Sequence, residues 1–131
     1  MRTRSLGASG LEVPVVVFGA WAVGGWGWGG RNGDTDQAAV AALRRALELG
    51  MCAIDTAPVY GFGHSEKLVG EAIAGRRERV LVMTKAGLRW DDARGKVAFE
   101  GEDDRGVLRK IRFNSRPDSV RKEVAESLAR L

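Results

Sequence analysis

The stretch Met51-Cys52-Ala53-Ile54-Asp55-Thr56-Ala57-Pro58-Val59-Tyr60-Gly61-Phe62-Gly63-His64-Ser65-Glu66 passes from a short apolar run, through a glycine-punctuated loop, into a helical pattern. Residues 51–54 have the continuity of a strand covered on both faces. Ser65 stands where a hydroxyl caps a helix. Leu68, Val69, Ala72 and Ile73 then follow at helical spacing, and Gly75 stops the run. The unit is strand, loop, helix.

The same unit recurs on either side. Upstream, Val15-Val16-Val17-Phe18-Gly19 reads as a buried strand, followed by a glycine- and tryptophan-rich loop from Gly24 to Gly33. Asp34 or Thr35 is placed to cap the next helix, with Gln37 completing a capping box from Asp34. That helix carries Val40, Leu43 and Leu47 on one side, and Gly50 ends it. Before all of this, the segment from Ser5 to Val13 sets turn residues between apolar ones and predicts a hairpin. Downstream, Val80-Leu81-Val82-Met83-Thr84 is a third strand, ending in Lys85. From Ala86 to Ser115 the chain is polar, charged and aperiodic, which predicts a long functional or disordered loop. A last helix starts around Pro117, with Val120, Val124, Leu128 and Leu131 as its apolar stripe.

Strands alternating with helices predict an α/β fold on a parallel sheet. Two closures are available: a doubly wound sheet, or a (β/α)8 barrel of the TIM type, which takes typically ~250 residues. Three βα units do not close a barrel, and three bare parallel strands leave unpaired edges. Residues 1–131 are therefore expected to be the N-terminal hairpin and about three βα units of a single, truncated barrel domain. Self-association is expected if that piece stands alone.

Composition narrows the setting. The single cysteine, Cys52, rules out an internal disulfide framework and favours a reducing, cytoplasmic location. No apolar run approaches membrane-spanning length, and no secretion signal opens the chain, so no membrane partner is expected. The net charge is +4, and basic residues are concentrated from Arg105 through Lys122, but Asp118, Glu123 and Glu126 are interspersed and aromatics are not interleaved. That pattern fits a solvated face and gives no stacking platform for nucleic acid, which is not expected as a partner. No metal site is expected.

Functional side chains of a parallel barrel sit at the C-terminal ends of its strands, where the βα loops share one mouth. Asp55 and Lys85 occupy such ends, and strands spaced ~4.8 Å apart bring their tips together. Tyr60, the only tyrosine, lies in the loop that Asp55 opens. A carboxylate that holds a lysine charged, beside a phenol, favours ionisation of the phenol and suits it to give a proton to a carbonyl oxygen. On spacing alone, a structural Asp–Lys ion pair beside a half-buried tyrosine is an equal alternative.

The segment from Asp55 to Glu66, followed by Val69-Gly70-Glu71-Ala72-Ile73, resembles the signature of the aldo-keto reductases. Thr84-Lys85 matches that family's lysine position. Arg4-Ser5-Leu6-Gly7, Gly19-Ala20-Trp21 and Ser127-Leu128-Ala129-Arg130-Leu131 are also similar. Trp21-Ala22-Val23-Gly24-Gly25-Trp26 and Trp90-Asp91 look most like the bacterial branch near the inositol-utilisation and general-stress reductases. The resemblance implies a (β/α)8 barrel that binds NADP(H), or NAD(H), without a Rossmann domain and reduces small aldehydes and ketones. Asp55, Tyr60 and Lys85 would be catalytic, with Tyr60 the proton donor. Gly19, Ala20, Trp21 and Asp55 would lie at the nicotinamide, and Trp26 and Trp28 would wall the substrate pocket. The family's catalytic histidine follows a fourth strand, and its main phosphate contacts come from later strands and loops, beyond Leu131. His64 belongs to the signature and is expected to be a local hydrogen-bonding residue.

Two other readings stay open at this point. Gly25, Gly27 and Gly30 outline a G-x-G-x-x-G dinucleotide fingerprint, although Arg31-Asn32-Gly33 still precedes the helix. A non-catalytic fragment, or a cofactor-binding or regulatory module on the same fold, is the other, because a fold alone does not establish turnover.

Overall fold

The computed structural model describes residues 1–25 and 33–131. Strands β1 (Thr3–Ser5) and β2 (Glu12–Pro14) pair antiparallel as the expected hairpin. Then β3 (Phe18–Gly19), α1 (Gly33–Glu48), β4 (Ala53–Asp55), α2 (His64–Ile73) and β5 (Leu81–Met83) give the predicted alternation. The three strands pair in parallel in the order β3-β4-β5, with β4 in the middle. Register sets Gly19 level with Asp55, and Asp55 level with Met83, so three strand ends meet at one rim. Beneath them Ala20, Val40, Leu43, Ile54, Leu68, Val69, Ala72, Ile73 and Val80 form the main core. Ile54 and Leu43 are fully enclosed, as the apolar pattern requires.

Local details depart from the sequence expectations, each for a physical reason. Strand β3 is only two residues long, and Val15 and Val16 are exposed, because the Val15 N–H donates to the Arg2 carbonyl of the hairpin rather than to the sheet. Helix α1 begins at Gly33, so Asp34 and Thr35 lie inside its first turn; there Asp34 and Asp36 complement the positive helix end. Ser65 does not cap α2. Gly63 occupies that position, and the Ser65 hydroxyl points inward, donating to the Ala20 carbonyl at 2.7 Å. Cys52 is exposed just before β4 begins. Among the described residues no helix is long and apolar enough to cross a membrane.

The largest departure is the segment expected to be a loop. It forms a second three-stranded sheet, β6 (Leu88–Arg89), β7 (Val97–Glu102) and β8 (Leu108–Phe113), antiparallel and in the order β6-β8-β7. Its hairpin turns on Asp103, whose Oδ1 accepts the N–H groups of Arg105 and Val107, and on Gly106 at φ +72°. An Asp followed by Gly three residues later is turn chemistry, and it was the signal available in the sequence. High charge density concealed it.

Helix α3 (Pro117–Arg130) starts at the predicted proline but turns an unexpected face inward. Ser119, Glu123 and Ser127 are buried, while Val124 and Leu128 are exposed. Polar contacts accompany this orientation: the Gly87 N–H donates to Glu123 Oε2 at 2.7 Å. The Arg89 side chain is almost fully enclosed and donates to Asp91 at 2.8 and 2.6 Å and to Glu126 at 2.9 Å. Val82, Val124, Leu128 and Leu131 instead line an open cleft of about 500 Å³ between β5 and α3.

Helix α2 meets the end of α3 at Gly70, where a Cβ would stand 2.0 Å from the Arg130 carbonyl oxygen. Alanine normally stabilises a helix interior by about 1 kcal/mol over glycine. Here Gly70→Ala is expected to destabilise by about 1–3 kcal/mol, the usual cost of overpacking. Urea unfolding measures the sign, and a stabilised variant would mean that α3 does not dock on α2 in solution.

Candidate active site

Parallel pairing delivers Asp55 to the rim as the last residue of β4, and Lys85 follows β5 by two residues. The Thr56 N–H donates to the Met83 carbonyl at 2.8 Å, which keeps the two strand ends together past the ladder. The Lys85 Nζ donates to Asp55 Oδ1 at 2.6 Å and to the Thr56 carbonyl at 2.9 Å. It also lies 4.9 Å from the centre of the Tyr60 ring. Desolvation alone would lower the Lys85 pKa, but hydrogen bonds to Asp55 and Tyr60 outweigh it and hold the ammonium above its ordinary value. The three residues predicted from the sequence are therefore brought together.

The loop carrying Tyr60 is shaped by close backbone approaches. A Cβ on Gly24 would lie 2.8 Å from the Tyr60 carbonyl group, and one on Gly61 would lie 2.3 Å from the Gly24 oxygen. Only two glycines let these loops touch. Gly61, Phe62 and Gly63 all have left-handed backbone, at φ +63°, +56° and +91°. For Phe62 that conformation carries steric strain, and its ring is held edge-on against Trp90, with centroids 5.4 Å apart. Ala57, Val59 and Ile111 form a second small core under this wall. The Trp21 ring stacks on Tyr60 at 6.0 Å.

Of the remaining expected site residues, Gly19 lies level with Asp55, and among the described residues nothing stands within 4 Å of where its side chain would start. Ala20 is fully buried, its N–H donating to the Asp55 carbonyl and its carbonyl accepting from Ser65, so it builds the floor between Gly19 and Trp21. Trp21 is half exposed at the rim. Trp26 and Trp28, like Gly27 and Gly30, lie outside the described residues. His64 pairs through Nε2 with Asp36 of α1 at 2.8 Å, away from the Lys85 ammonium's partners. It is a hydrogen-bonding residue, as expected, but its partner lies on α1 and not in its own loop.

A cleft of about 200 Å³ opens beside the phenol, lined by Ala57, Val59, Tyr60, Lys85, Leu88 and Glu123 among others. Leu88 opens the segment to Phe113 that resembles the family's variable substrate loop, whereas no sequence signal marked Glu123 as a site residue. Glu123 sits on the Ser119–Glu123–Ser127 side of α3, which a search for apolar stripes passes over. Burial raises its pKa, against the opposing pull of the Gly87 N–H and Arg89.

Comparison with known proteins identifies the class. Residues 15–131 match the Aldo/keto reductase family, and the chain belongs to that family. Over its whole length it is 39% identical to an NADH-specific methylglyoxal reductase of Escherichia coli (strain K12), covering 38% of that protein. The fold superposes on a glycerol dehydrogenase of Gluconobacter oxydans with a TM-score of 0.76 and 42% identity, over 98% of this chain and 35% of that one. It also matches an aldo-keto reductase from Klebsiella pneumoniae in complex with NADPH, with a TM-score of 0.60 and 27% identity, over 91% of this chain and 31% of that one. The chain thus spans about a third of the length of its relatives. The fold is of the TIM-barrel type, present here in part, and the Rossmann alternative is set aside.

The raised Lys85 pKa gives a pH dependence of defined sign. A group whose folded value exceeds its unfolded one adds stability below the unfolded value and loses it as pH rises through the folded one. The stability margin of the parent chain over Lys85→Met is therefore expected to stay constant from neutrality to about pH 10 and to shrink above it. Denaturant midpoints across that range measure it; a margin widening with pH would show that Asp55 and Tyr60 do not hold the ammonium.

Proposed function

We propose that this chain carries the proton-donating part of an aldo-keto reductase site, in which Tyr60, Lys85 and Asp55 act on the carbonyl of a small aldehyde or ketone. One observation carries the proposal: a single ammonium contacts both the Asp55 carboxylate, at 2.6 Å, and the face of the Tyr60 ring. A bound nicotinamide, NADPH or NADH, supplies the hydride for the carbonyl carbon. The rim has room for such a ring where, among the described residues, nothing stands within 4 Å of the start of a Gly19 side chain, level with Asp55. Gly19, Ala20, Trp21 and Asp55 would hold it there.

The residues then divide the work. Tyr60 hydrogen-bonds the substrate oxygen and releases its hydroxyl proton to it, leaving a phenolate. The Lys85 ammonium stabilises that developing negative charge, which lowers the barrier to proton release. Asp55 keeps Lys85 charged and aimed. The cleft beside the phenol has apolar walls in Ala57, Val59 and Leu88, which suits a small carbonyl compound. Trp26 and Trp28 are proposed as further pocket walls. The substrate class follows from this chemistry and from the family; the E. coli relative's own name specifies methylglyoxal, and the Gluconobacter one glycerol.

The test is carbonyl-dependent oxidation of NADPH and NADH by the chain, beside Tyr60→Phe. General acid catalysis contributes about 10²–10⁴-fold, so Tyr60→Phe is expected to lose activity on that scale while NADPH still quenches or enhances fluorescence saturably. Saturable binding with no turnover in either protein would assign a cofactor-binding module instead. A flat fluorescence titration would assign a fragment without a working site.

A further inference from the structure

Lys85 stands on irregular backbone. The parallel ladder ends at Met83 and the next strand begins at Leu88, so neither sheet fixes the residue that carries the ammonium. Two buried carboxyl groups grip the chain on either side of it. The Thr84 hydroxyl donates to Glu66 Oε1 at 2.7 Å, and the Gly87 N–H donates to Glu123 Oε2 at 2.7 Å. Both glutamates are enclosed, at 0% and 1% exposure. Each faces an arginine: Arg130 Nε donates to Glu66 Oε2 at 2.7 Å, and Arg89 Nη1 stands 3.9 Å from Glu123 Oε1.

Buried carboxyl groups cost free energy unless hydrogen-bonded and paired, so their partners are held firmly in return. We propose that Glu66 and Glu123 are positioning residues that clamp the backbone around Lys85 and so keep its ammonium between Asp55 and Tyr60. Gly87 fits this role. Its φ of +105° disfavours any other residue, and a Cβ there would stand only 2.9 Å from Ser115 Oγ. Its carbonyl accepts the Asn114 N–H. One residue thus ties the Lys85 segment both to the chain leaving β8 and to α3. Glu123 lies on α3 and Arg130 ends it, so docking of that one helix sets both clamps. The catalytic part of the inference rests on the reductase reading; the geometric part does not.

The test uses the 131-residue chain with Thr84→Val, Glu123→Leu and Glu123→Gln. Thr84→Val removes one clamp but leaves the Glu66–Arg130 pair, and it carries the test should Glu123→Leu not fold. Two readouts are taken: titration of the Lys85 ammonium by NMR on labelled lysine, and kcat and KM for carbonyl reduction. In Thr84→Val and Glu123→Leu the ammonium is expected to titrate at lower pH than in the parent. In the same two variants kcat should fall about tenfold with KM little changed, the scale of a small misplacement of a reacting group. Glu123→Gln keeps an acceptor for the Gly87 N–H and should recover most of both. Folded Thr84→Val and Glu123→Leu proteins that leave the Lys85 titration where it is would overturn the proposal. A parent chain without turnover would count against the reductase reading alone, because the titration still decides the clamp.

Discussion

Two parallel strands lying side by side place a carboxylate and an ammonium 2.6 Å apart, and much of the remaining architecture exists to keep them there. The contact is half exposed, so by itself it would add little to stability. Its value is geometric. A flexible lysine gains a fixed position only when its neighbours leave it few alternatives, and here the Thr56 carbonyl, the Tyr60 ring and the Asp55 carboxylate occupy three sides of it. The pairing register, Gly19 with Asp55 and Asp55 with Met83, decides where those sides fall.

Around this rim the chain uses buried polar groups where apolar packing would be the simpler choice. Arg89, Glu66 and Glu123 are among the largest fully enclosed side chains in the described residues. Apolar contacts are non-directional and tolerate sliding, whereas charge-assisted hydrogen bonds require particular atoms at particular distances. An antiparallel sheet anchored through Arg89 to Asp91 and Glu126 therefore takes one seat against α3. That seat presses Ile111, Leu88 and Trp90 onto the loop that carries Tyr60. The excursion is part of the site's wall. At the opposite side of α3, Val124 and Leu128 face the open cleft beside β5, in a chain that spans about a third of its relatives' length.

The strand–loop–helix units, their order and the parallel sheet were legible in the sequence, because apolar continuity and helical spacing are local properties that water enforces on any fold. Asp55 and Lys85 were legible as residues at or just past strand ends and Tyr60 as the tyrosine of the loop that Asp55 opens, but spacing alone left a structural ion pair equally open, and it was the family resemblance that grouped the three as a site. Turn chemistry at Asp103 and Gly106 was present but outvoted by charge density. Which face of α3 turns inward was not written locally at all: Val120, Val124 and Leu128 are the apolar residues, yet Ser119, Glu123 and Ser127 are the buried ones. Only the tertiary structure decides that, because the cost of burying a carboxyl group is offset only when Gly87 and Arg89, more than thirty residues away, arrive to satisfy it.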